Sequence, residues 1–117
     1  MVACAEPAAA SIVDAPSGQP LELIEAFWDR GDAAEPVLRL RFLAPEIGGW
    51  RAFRDVEGDF LHLCRSIGLA RARRSEGTLI VITMLSRPLP FGASDPETIQ
   101  YIEAFRAEAD DCAWEAF

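Results

Sequence analysis

Thr78-Leu79-Ile80-Val81-Ile82-Thr83-Met84-Leu85-Ser86 is the stretch on which the fold turns. It is apolar throughout Leu79–Leu85 except at Thr83, rich in β-branched residues, and bounded by Gly77 and Pro88. A run of this length is too short for a buried helix and far short of the roughly 20 residues needed to span a bilayer. Without polar alternation it predicts a central strand buried on both faces. Such a strand needs neighbours on either side and a layer over each face, so the rest of the chain must supply them.

Upstream, Trp50 to Leu69 has the period of a helix. Phe53, Val56, Phe60, Cys64 and Ile67 follow in steps of three, four, four and three, and Leu63 widens the face. Gly58 costs this helix about 1 kcal/mol relative to alanine, and Gly68 is expected to stop it. Before the helix, Val37 to Ala44 alternates, with Leu38, Leu40 and Phe42 on one side and Arg39 and Arg41 on the other. Leu21 to Trp28 is a second strand between turn residues, and a hairpin register that sets Glu25 opposite Arg39 would make a cross-strand ion pair. Pro16-Ser17-Gly18-Gln19-Pro20 is a turn, and Ser11-Ile12-Val13 can add a short edge strand.

Downstream, Arg87-Pro88-Leu89-Pro90-Phe91-Gly92 is an extended loop. Ser94-Asp95-Pro96-Glu97 then has the form of a helix start with a capping box. Ile99, Ile102, Phe105 and Ala109 either continue a helix, as propensity favours, or belong to a strand from about Ile99 to Ala107. In the second reading a turn over residues 108–111 leads to a last strand from Cys112 to Phe117.

Composition bounds function by exclusion. The chain has 117 residues and a net charge of −8. That charge opposes nucleic acid, which is bound by clustered cations, and anionic membrane surfaces. All cations are arginine; lysine and asparagine are absent, as a GC-rich genome produces. No transmembrane segment is present in the sequence. Residues 1–14 read as a flexible lead-in to a single α+β domain over 15–117. Ala3-Cys4-Ala5 has the small-x-small form of a signal-peptidase site, and Val2-Ala3-Cys4 resembles the end of a lipoprotein signal. With Cys4 assigned to such a tail or lipid anchor, Cys64 and Cys112 remain as a pair that an exported domain would oxidise; in a cytosolic protein the same two would be buried thiols.

Several stretches together resemble a known family: Ser17-Gly18-Gln19-Pro20, His62-Leu63-Cys64 on the helix, Phe91-Gly92 after the Pro-rich loop, and the C-terminal Cys112-Ala113-Trp114-Glu115-Ala116-Phe117. The chain resembles a family of small bacterial proteins, a domain of unknown function found mostly as exported proteins, over about residues 15–117. The resemblance implies a β-hairpin before the last cysteine, although the turn Ala107-Glu108-Ala109-Asp110-Asp111 lacks the glycine its relatives carry there. Some members bear an automatic label of acetolactate synthase. That enzyme needs a thiamine diphosphate site with a Gly-Asp-Gly motif, which this sequence lacks, so no cofactor is expected.

The expected architecture is α+β: an antiparallel sheet of four to five strands with one main helix packed on one face, in the order β-β-α-β-β-β. Leu38, Leu40, Phe42, Phe53, Phe60, Leu63, Ile67, Ile80, Ile82 and Trp114 form its core.

Candidate chemistry is sparse. His62 is the sole histidine, and a hydrolase of this chain would have to use it. Cys64 lies about 200° around the helix from it and cannot be its partner, while Asp59 is placed to orient it. Metal ligation has no support: there is one histidine and no C-x-x-C, and Glu108, Asp110 and Asp111 read as an acidic turn. Arg65, Arg71, Arg73 and Arg74 are a candidate anion site, which would make the chain a small-anion sensor or regulatory domain. Leu89 and Phe91, presented on a prolyl scaffold, are a candidate contact for another envelope protein; the alternative is that they fold back on the core. The leading expectation is a non-catalytic, periplasmic or secreted protein-binding module.

Overall fold

The computed structural model describes residues 12–30, 35–73 and 75–116. The expected signal tail with Cys4, the lead-in up to residue 11, and Arg74 lie outside them. The strands are β1 (Ile12–Val13), β2 (Leu21–Asp29), β3 (Val37–Leu43), β4 (Leu79–Leu85), β5 (Gln100–Ala107) and β6 (Cys112–Glu115). Between β3 and β4 run helix α1 (Phe53–Leu63), a π-helical turn (Cys64–Gly68) and the short α2 (Leu69–Arg71).

All six strands form one sheet in sequence order. This is a mixed α+β fold with one more strand than the upper expectation. The sheet is also not wholly antiparallel. β3 and β4 are parallel neighbours, with Leu38 opposite Ile80, Leu40 opposite Ile82 and Phe42 opposite Met84. The reason is the helix between them: a chain that leaves one strand, crosses a face as a helix and returns beside the same strand runs parallel to it. The other pairs are antiparallel. The apolar run Leu79–Leu85 is central, flanked by β3 and β5, and Ile80–Leu85 are all buried.

The core lies between the sheet and α1. Leu21 and Leu23, then Leu38, Leu40 and Phe42, then Ile80, Ile82 and Met84, and then Phe105 and Ala107 line one face of the sheet. Val56, Phe60, Leu63 and Cys64 meet them from the helix. Phe53 and Ile67 are partly buried at the margin of this core. Phe53 packs edge-on against Tyr101, with ring centroids 5.3 Å apart. Gly68 is not a helix stop. Its φ is −62°, and a Cβ there would lie 3.3 Å from Ile80, so glycine lets the helix come down onto β4. The helix ends instead at Ala72, and Arg73 follows at φ 57°.

Trp114 is not in the core; it is 65% exposed. It pairs with Phe105 and so faces the helix side. However, six strands at about 4.8 Å spacing span about 24 Å, and one helix is only about 10 Å across. Its indole N–H donates to Glu103 Oε1 at 2.5 Å.

The predicted strand from about Ile99 and the final hairpin are present as β5 and β6. Asp95, rather than Ser94, organises the turn before them. It accepts from Glu97 N (3.1 Å) and Thr98 Oγ1 (2.6 Å), and these bonds hold its carboxyl below the ordinary range, Thr98 contributing most.

Candidate functional site

The face of the sheet without a helix carries the most organised surface chemistry. Alternation along β3 sends Arg39 and Arg41 to this side, as the sequence predicts. Glu25 pairs with Arg41 and not with Arg39, and a bulge between Leu23 and Glu25 in β2 shifts the register by one residue, which sets Glu25 opposite Arg41 rather than Leu40. Arg41 is only 5% exposed. One guanidinium nitrogen, Nη1, meets Glu25 Oε1 at 2.6 Å; the other, Nη2, donates to the Leu89 carbonyl at 2.6 Å. Arg39 takes Asp29 instead, with Nε 2.8 Å from Oδ2.

These two cations hold the Pro-rich loop. The Arg39 and Arg41 guanidinium carbons lie 5.0 and 5.7 Å from the centroid of the Phe91 ring, within cation–π range. Phe27 meets the same ring edge-on at 5.1 Å. The loop therefore folds back across the sheet, with Leu89 half-buried, yet Phe91 remains 48% exposed. Ile102 is another large exposed apolar residue of this face. It pairs with Thr83, whose other neighbour is Arg41, so Ile102 is about two strand spacings, or about 10 Å, from one of the arginines that hold Phe91.

Of the candidate anion site, Arg65, Arg71 and Arg73 are among the described residues. Arg65 is engaged: Nε and Nη2 donate to Asp111 Oδ1 and Oδ2 at 2.7 and 3.3 Å. The Arg65 hydrogen bond and the Cys112 N–H hold the Asp111 carboxyl below its ordinary range, and Asp111 in turn raises the Arg65 guanidinium. Arg71 and Arg73 are exposed at the helix end and in the turn after it.

That ion pair sits one residue from each cysteine of the Cys64–Cys112 disulfide, whose Cα atoms are 6.4 Å apart. The bond ties the π-helical turn to the edge strand β6. It also removes Cys64 from any thiol chemistry with His62.

Asp59 does not orient His62. It is 1% exposed and turns inward to the segment before β2. Ser17 N and Ser17 Oγ donate to it at 2.9 and 2.6 Å, and Gln19 Nε2 donates at 2.8 Å. Arg51 holds the same segment from outside, donating to the Ser17 carbonyl at 3.1 Å while its Nε meets Glu46 at 2.8 Å. A carboxylate with this many donors anchors a loop, and the sequence reading missed it. The signal was there: Asp59 falls between Val56 and Phe60 on the apolar face, where an unpaired charge could not stay.

Among the described residues, no group of three His, Cys, Asp or Glu is placed to hold a metal ion. No described helix is long and apolar enough to cross a membrane.

These features define a disulfide-stapled α+β domain with one face packed by a helix and the other crossed by an arginine-clamped aromatic loop. The chain belongs to a family of unknown function (DUF6497), whose model matches residues 1–117. No curated protein and no solved structure matches it.

Proposed function

We propose that the chain is an exported, non-catalytic module that binds another envelope protein through its helix-free face, with Leu89 and Phe91 at the contact. The observation that carries this reading is the state of Phe91. Two guanidiniums and the Phe27 ring fix its ring in place while about half of it stays exposed. An aromatic side chain whose position is already set loses little entropy on binding, which is what interface anchors require. Ile102 extends the apolar area, and Arg39 supplies a polar rim. The engagement of Arg65 by Asp111 favours this reading over an anion sensor.

Export is supported by the disulfide, because such bonds persist in oxidising compartments. Periplasmic or secreted location, with or without a lipid on Cys4, belongs to the same proposal.

Site-specific photo-crosslinking in the native host tests the contact. A crosslinker at Ile102 should trap one discrete envelope protein, and one at exposed Gly58 on the helix should not. Phe91→Ala should then weaken binding of that purified partner by about tenfold or more, the usual scale for losing an aromatic anchor. Identical products from both positions, or unchanged affinity for Phe91→Ala, would sink the proposed surface.

A further inference from the structure

We propose that a pocket at the opposite end of β2 from β1 binds an alkylammonium head group, the chemistry of a choline-type molecule or of a lysine side chain. The pocket has a volume of about 340 Å³ and is lined by Trp28, Glu35, Pro36, Glu76, Gly77 and Thr78. That is the lower range of small-ligand sites. It lies between the end of β2, the two residues before β3 and the three residues before β4.

The fold leaves its aromatic wall open. β1 pairs only with Leu21 and Glu22, so it does not reach the Trp28 end of β2. Trp28 pairs with Leu38 on the helix side of the sheet but stays 47% exposed. Tryptophan is the strongest of the aromatic rings for cations. Glu35 and Glu76 come from either side of the pocket, one before β3 and one before β4, and give its lining two carboxylates.

Arg106 touches two of the lining residues but does not itself line the pocket. Arg106 belongs to the other face, where its Nη1 donates to the Gly77 carbonyl at 2.9 Å and its Nε stands 3.5 Å from Glu115. It reaches Glu35 at 3.5 Å, and the Glu35 side chain remains 65% exposed. The net charge of −8 draws cations towards the chain in general. Because the chain has no lysine, a lysine ammonium cannot come from a second copy.

The test titrates the intact, oxidised chain with choline, with Nα-acetyl-lysine amide and with 3,3-dimethylbutanol, the uncharged analogue of choline. The readout is the indole N–H resonance of each tryptophan. The Trp28 signal should shift saturably with at least one ammonium probe, with a dissociation constant in the millimolar range, while Trp50 and Trp114 stay put. The neutral analogue should bind at least about tenfold more weakly. Glu76→Gln, at an exposed loop position, should weaken binding about threefold to tenfold, and more so at low salt; Trp28→Leu should abolish it. Phe91→Ala should leave it unchanged, which separates this site from the protein-binding face. Preference for choline assigns a small quaternary amine, and preference for the lysine amide assigns a peptide or protein. No Trp28 shift with either ammonium probe, equal binding of the neutral analogue, or indifference to Glu76→Gln would overturn the proposal.

Discussion

Removing the Cys64–Cys112 bond should lower stability by about 4 kcal/mol and the melting temperature by on the order of 15 °C. The cysteines are 48 residues apart, and closing so long a loop in the unfolded chain removes much of its entropy. The folded state adds a local reason. β6 has four residues, lies at the edge of the sheet and pairs only with β5, so the bond to the helix is its main tie to the core. The double variant Cys64→Ala and Cys112→Ala is the right comparison, because serine would add the cost of burying two hydroxyls. Urea titrations of the oxidised protein and the double variant should show a lower midpoint. Amide exchange should rise first in Cys112–Glu115. A loss below about 1 kcal/mol would mean that the packing of α1 and β5 already constrains the chain as the bond does.

Asp59→Ala should cost about 3 kcal/mol or more. The substitution strands Ser17 N, Ser17 Oγ and Gln19 Nε2 without their acceptor, and Gln19 is itself buried. Hydrogen bonds to a charged group contribute about 1.5–3 kcal/mol each, and orphaned buried donors add a desolvation penalty. The loss should be cooperative with the segment before β2, because Arg51 holds the same Ser17. Denaturant unfolding measures the size of the effect. Faster exchange at the amides of Ser17 and Gln19 locates it. Asp59→Asn should fall between the wild type and Asp59→Ala, since it keeps an acceptor oxygen but turns an amide N–H₂ towards donors. A cost under about 1 kcal/mol would show that water replaces the carboxylate without loss.

Much of the fold was legible because periodicity reports faces. The alternation of Leu38, Leu40 and Phe42 against Arg39 and Arg41, and the helical spacing from Phe53 to Ile67, point to the sides that those residues occupy. Periodicity does not report strand direction, and so the parallel pairing of β3 with β4 was missed. The order strand, helix, strand carried that information, because a helical crossover is the usual way to join parallel neighbours. The last hairpin was legible only through the family resemblance. Local propensity favours a helix there, and the demand of β4 for a second neighbour overrides it.

The site was less legible for related reasons. Glu25 pairs with Arg41 rather than Arg39, and alternation could not choose between them, because a register shift of two residues leaves every side chain on the same face. Trp114 reads as core by type, but its place depends on how far one helix reaches across six strands. Leu89 and Phe91 were visible as an apolar loop. What holds Phe91, two arginines from one strand and a phenylalanine from another, depends on contacts between segments far apart in the chain. Cys64 was legible as a core-facing disulfide partner because its position on the helix face is a local property.

The most direct test of the account as an exported, stapled module is the redox state of Cys64 and Cys112 in the native host. Cells would be quenched in acid and free thiols alkylated, followed by reduction, a second alkylating label and mass spectrometry. The account predicts that both cysteines carry only the second label, linked before reduction in one cross-linked peptide pair. Both cysteines carrying the first label would mean that the chain is kept reduced in its own compartment, which contradicts export.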